Sequence, residues 1–345
     1  MISKKNFEKN FIEKQSENYP NVDPQKLEMT IFAFGLLDEL IRSELPLIFK
    51  GGTSLLLLLD KPKRVSTDID IIVPKNTNFD KFFEKVKTKF PFYEGEERGE
   101  NTNSFFRHFY FMFRGPTSQK ECRINLDVAF EENPYPRIIR KELSLPFVVS
   151  SKEKTYVNIP THESILGDKL TAFAPTTIGV NPYATSLGKP IDNRLQVMKQ
   201  FYDIAQLSDF VINEDEIMES YIKCHEFENS FRKTNYSIVD TLLDTFNHAA
   251  EIASMGRWNK KSNFYCKVAR PGMQGLATNI FDGKYNQNSA TIDASKVMRL
   301  VSRLITRKNF SFKKLDSAKT KLQFFKSVSD IHSFALIREA IDLIS

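Results

Sequence analysis

Between residues 21 and 45 the apolar side chains fall at helical spacing, with Leu27, Ile31, Leu37 and Ile41 on one stripe, and Pro46 stops the pattern. A short strand over 47–49 follows. Gly51-Gly52 then turns the chain toward a helix over 53–59. From 68 to 73 the period changes to two, predicting a strand with Ile69, Ile71 and Val73 inward and Asp68 and Asp70 on the other face, closed by Pro74. A helix over 79–90 leads to two strand-like runs, 105–113 and 123–130. In the second run Ile124, Leu126 and Val128 alternate with Arg123, Asn125 and Asp127, which makes Asp127 a third acid on a polar face or a solvent-facing acid on an edge strand. Together these elements predict a mixed sheet with helices on its faces.

Beyond Pro160 the helical period returns over 162–173 and 194–207, separated by a stretch at 176–190 rich in Pro, Gly, Thr and Ser that reads as a mobile loop. Helices are expected again at 214–224, 237–253, 294–305 and 329–344. Residues 255–283 are less regular and set Trp258, Phe264 and Tyr265 among lysines and arginines. The expected class is α+β, a sheet domain over 1–207 followed by a mainly helical bundle over 208–345.

The chemistry is concentrated between 49 and 70. Phe49-Lys50-Gly51-Gly52-Thr53-Ser54-Leu55 joins a glycine turn to two small hydroxyls, and Arg64-Val65-Ser66-Thr67-Asp68-Ile69-Asp70 follows shortly after. Glycine lets a backbone approach phosphate oxygens, and Thr53 or Ser54 can donate to them. Two carboxylates side by side repel unless a cation lies between them, which makes Mg²⁺ or Mn²⁺ the natural occupant. Ser66 either touches phosphate or ends the strand. Arg64 either binds phosphate or pairs with a strand carboxylate. The five histidines are scattered and form no metal-spaced pair, and Walker A, HExxH, GxSxG and GxGxxG patterns are absent.

These blocks, K-G-G-T-S-L at 50–55 and R-x-S-x-D-I-D at 64–70, resemble the nucleotidyltransferase superfamily, specifically its AbiEii/AbiGii toxin branch, over residues 30–207. The resemblance implies a nucleotidyltransferase fold with a helical second domain. It implies NMP transfer from an NTP, Asp68 and Asp70 as metal ligands, and Asp127 as a third ligand that also activates the attacking hydroxyl. Gly167-Asp168-Lys169-Leu170 resembles a helix motif whose lysine reaches phosphate, against the alternative of a surface lysine. Lys199 to Ile204 resembles a K/R-D-x-Y-D segment in which Gln200 here replaces the first Asp. Asp203 would then orient Lys169 or a metal-bound water, or simply pair with Lys199. The branch further implies the toxin half of a toxin–antitoxin or phage-defence pair, with a cognate antitoxin as partner and a tRNA 3′ end as acceptor. Transfer to a protein hydroxyl, on itself or a partner, and a catalytically silent nucleotide- or antitoxin-binding module stand as alternatives.

Charge sharpens the question of partners. The chain carries a net +6, yet residues 256–326 hold sixteen Lys or Arg against three Asp, a local +13 that favours a polyanionic partner such as RNA, or merely forms a solvated surface. Three widely spaced cysteines read as reduced thiols. With no export signal at the start and no apolar run near the ~20 residues a bilayer requires, a cytoplasmic protein with no membrane partner is expected.

Overall fold

The alternating segment forms β2, Ile69–Val73, the middle strand of a seven-stranded sheet. This computed structural model describes residues 1–98, 105–186, 189–307, 310, 318–326 and 328–345. The chain divides into two compact units, residues 1–161 with 278–283, and residues 162–277 with 284–345. The division falls after Thr161 rather than at the expected 207, because the helices over 162–208 pack against later helices.

In the first unit the elements run α1 (Lys9–Asn18), α2 (Pro24–Arg42), β1 (Ile48–Lys50), α3 (Gly51–Leu58), β2, α4 (Phe79–Val86), β3 (Glu94–Glu97), β4 (Phe106–Arg114), β5 (Glu121–Phe130), β6 (Ile138–Glu142) and β7 (Tyr156–Pro160). Asp23 caps α2 by accepting from the Gln25 and Lys26 amides, and Pro24 occupies the first turn, where its missing N–H costs nothing. The sheet order is β3-β4-β5-β2-β1-β7-β6, with β2–β5 and β1–β7 parallel and the other pairs antiparallel. The expected mixed sheet is therefore present, enlarged by β3, β6 and β7.

One face is apolar and aromatic. Phe109, Phe111 and Phe113 of β4 lie beside Leu126, Ile124 and Cys122 of β5, and helices cover them. Phe32 of α2 stacks on Phe113 at 3.8 Å, and Phe79 and Phe83 of α4 meet Phe109 at 4.9 and 4.8 Å. Each buried ring contributes roughly 1.5–3 kcal/mol, enough to fix which way the whole sheet faces. The register then decides what lies on the opposite face.

The second unit contains α5 (His162–Ala172), the hairpin β8 (Tyr183–Ser186) and β9 (Lys189–Asp192), α6 (Arg194–Ser208), α7 (Glu214–Arg232), α8 (Ile238–Ala253), α9 (Arg270–Ala277), α10 (Gln287–Arg307) and α11 (Ile331–Ile344). Gly167 of α5 lies directly against α7, where a Cβ would sit 2.6 Å from the Ile217 carbonyl, so this glycine sets the closeness of the two helices. Glu163 accepts from the Ile212 and Asn213 amides just ahead of α7, and Asn213 caps that helix. The expected mobile loop at 176–190 instead carries β8 and the start of β9, and Asp244 of α8 holds Thr176 and Thr177. Residues 255–283 include α9 and a π-helical stretch at Tyr265–Ala269. Part of the expected basic segment, 308–309 and 311–317, lies outside the described residues. No helix among the described residues is long and apolar enough to cross a membrane.

Candidate active site

The polar face of the sheet is built by register. Lys50 of β1 lies opposite Asp70 of β2, Asp70 beside Asp127 of β5, and Asp127 opposite His108 of β4. Residues paired in register project to the same side, so two carboxylates stand next to each other between two basic side chains. Asp68 precedes β2 by one residue, and its Oδ1 accepts from Asn125 Nδ2 at 3.0 Å, placing it over the next polar position of β5. Asp68, Asp70 and Asp127 are all partly exposed. Two residues along the same face in the other direction, Ile48, Ile72, Ala129 and Phe106 gather under Tyr135 and Ile138, and this apolar cluster ends the polar strip.

The diglycine is shaped around these acids. The chain turns immediately after Lys50, with Gly51 in the left-handed region at φ +73°. A Cβ there would sit 2.0 Å from Asp70 Oδ2, so Gly51 is what lets this carboxylate lie against the backbone. A Cβ on Gly52 would come within 2.5 Å of Arg64 Nη2 and 3.4 Å of Ser66 Oγ. Arg64 is buried, donates to the Val65 carbonyl at 3.1 Å and is bridged through its backbone to Ile280. Gly51→Ala should cost about 1–2 kcal/mol from the left-handed backbone alone and push Asp70 out of place. A lowered melting temperature together with weakened Mn²⁺ binding checks this, and a variant matching the parent in both would refute the packing role.

Hard carboxylate oxygens suit Mg²⁺ or Mn²⁺, and Mg²⁺ is commonly held by one or two carboxylates with substrate phosphates completing the shell. The Asp70–Asp127 pair fits that pattern. Among the described residues no three His, Cys, Asp or Glu side chains converge into a metal centre by themselves. Asp68, the third expected ligand, is held by Asn125 beside this pair.

Lys169 and Asp203 belong to the second unit. Lys169 on α5 is buried, its Nζ 3.0 Å from Asp203 Oδ2 and 2.8 Å from Gln200 Oε1, both acceptors on α6. Gln200 therefore still serves the lysine as an acceptor, and the exchange of Asp for Gln leaves one cation facing one anion.

The family model described as nucleotidyl transferase AbiEii toxin, type IV TA system, matches residues 36–261, about two thirds of the chain. The chain belongs to the AbiEii family. No curated protein matches it. Among solved structures, JHP933 from Helicobacter pylori is 12% identical, with a TM-score of 0.44 over 84% of this chain and 97% of that one. A candidate nucleotidyltransferase from H. pylori is 11% identical, with a TM-score of 0.30 over 59% and 96%.

In this AbiEii protein the motif hydroxyls do structural work. Thr53 and Ser54 are fully buried; Thr53 Oγ1 donates to the Asp68 carbonyl and Ser54 Oγ to the Gly51 carbonyl at 2.9 Å, so both brace the turn from within rather than facing phosphate. Trp258 and Phe264, set among basic residues in the sequence, are buried, with Trp258 against Phe246 and Phe325. His108 is the residue that sequence reasoning passed over. Its Nδ1 lies 2.7 Å from Asp127 Oδ1. The hydrogen bond to Asp127 raises its pKa above the usual 6.5, against the opposing effect of burial. Only the antiparallel register of β4 and β5 brings the two together.

Proposed function

We propose that this AbiEii protein transfers NMP from an NTP to a hydroxyl of RNA, with a tRNA 3′ end as the preferred acceptor, and acts as the toxin opposite a cognate antitoxin. The observation that supports transfer is the placement of Asp70 beside Asp127, with Asp70 packed against the diglycine turn. The acceptor oxygen attacks the α-phosphorus, the bond from that phosphorus to the bridging oxygen breaks, and pyrophosphate leaves. Asp127 takes the proton from the attacking hydroxyl. Asp70 and Asp127 would hold a divalent cation, which would supply neutralisation of the charge developing on the phosphates. In the first unit Arg64 is the cation assigned to phosphate, and in the second Asp203 orients Lys169.

An RNA acceptor is supported by the second unit. Lys296, Arg299, Arg303 and Arg307 follow one face of α10 at steps of about 4.5–6 Å and line a cavity of about 410 Å³ with His332. Asp209, Glu339, Glu214 and Asp215 hold these cations in salt bridges of 2.6–3.1 Å, order that phosphates could take over by exchange. Incubation with each α-labelled NTP, Mg²⁺ and total tRNA should place label in RNA. Label appearing instead as an added NMP mass on the protein would overturn the RNA reading in favour of a protein acceptor.

A further inference from the structure

Each acid of the strip has its own neighbour. Asp68 is held by Asn125, one oxygen of Asp70 lies against Gly51, and Asp127 is held by His108. Gly51 belongs to the motif itself, and Asn125 to β5, the strand that carries Asp127. The third comes from β4, a strand that carries none of the motif.

The His108–Asp127 pair lies in the open rather than in the core, with side chains 54% and 42% exposed. An exposed pair of this kind adds little to folding. Among the described residues, His108 is the hydrogen-bonding partner of Asp127, and the bond engages Oδ1. With the proton on Nδ1, the imidazole donates to that one oxygen and leaves Oδ2 as an acceptor. The ring is itself anchored at its backbone, since the His108 carbonyl accepts from the Arg98 amide at 2.7 Å.

We propose that His108 is a positioning residue, fixing the Asp127 carboxylate through one oxygen so that the other stays presented to a divalent cation. This rests on Asp127 being a ligand, as the proposed transferase reading holds. Partners of ligating carboxylates typically govern metal affinity by 10–100-fold. A free carboxylate on an open strand must lose its rotamer freedom when the cation arrives, and one already fixed need not.

The test is Mn²⁺ binding to the whole protein, without nucleotide, by calorimetry. His108→Ala should weaken binding about 10–100-fold at an unchanged melting temperature, and His108→Gln, whose amide can donate in place of Nδ1, should recover most of the loss. Asp127→Asn should weaken binding as well, and adding His108→Ala to it should cost nothing further. Wild-type binding by His108→Ala while Asp127→Asn is impaired would overturn the positioning role and leave the ligand assignment standing. Equal loss in His108→Ala and His108→Gln would also overturn it, since the imidazole would then be needed as a ligand. Wild-type binding by Asp127→Asn would remove the ligand assignment itself.

Discussion

Asp70→Asn should lower nucleotidyl transfer by about 10³-fold, equivalent to ~4 kcal/mol of lost transition-state stabilisation. Asn keeps the shape that packs on Gly51, so the fold should survive and the loss should lie in charge alone. Asp70 stands beside Asp127 in register, and removing one of the two carboxylates leaves a single anionic side chain at the centre of the strip. Pyrophosphate release at saturating NTP measures the effect, with a melting curve as control. Activity within tenfold of the parent would mean that the chemistry does not depend on this strand.

The other large effect concerns stability. Lys169 and Asp203 are almost completely buried, with side chains 6% and 2% exposed, so either one left alone is an uncompensated charge. Lys169→Met or Asp203→Leu should each destabilise by about 3–5 kcal/mol, and the two together should recover much of that loss. Denaturant unfolding tests the energetics, and transfer activity of the double variant separates two roles. If Lys169 reaches phosphate, activity stays lost although stability returns. Full activity in the double variant would assign the pair to architecture.

Local signals carried far in this chain. Period-two alternation fixed the faces of 68–73 and 123–130, and the apolar stripe of α2 needed no tertiary information. Pairing was not legible, because register is set by contacts between segments distant in sequence. That is why His108 read as one scattered histidine and β6 and β7 went unseen. The hairpin at 183–192 was hidden for another reason: Pro, Gly, Thr and Ser serve tight turns and open loops alike. The buried hydroxyls of Thr53 and Ser54 illustrate a third limit. A motif specifies residue types, but whether a hydroxyl points at ligand or backbone depends on how the turn is packed.

Residues 278–283 return to the first unit after more than a hundred residues spent in the second. There Asn279 accepts from the Val65 amide at 2.8 Å and Ile280 bridges Arg64. During synthesis the N-terminal sheet can begin folding early, but the arginine behind the diglycine cannot be secured until residue 280 has left the ribosome. A chain still being translated thus lacks the bridge that completes the backing of the diglycine.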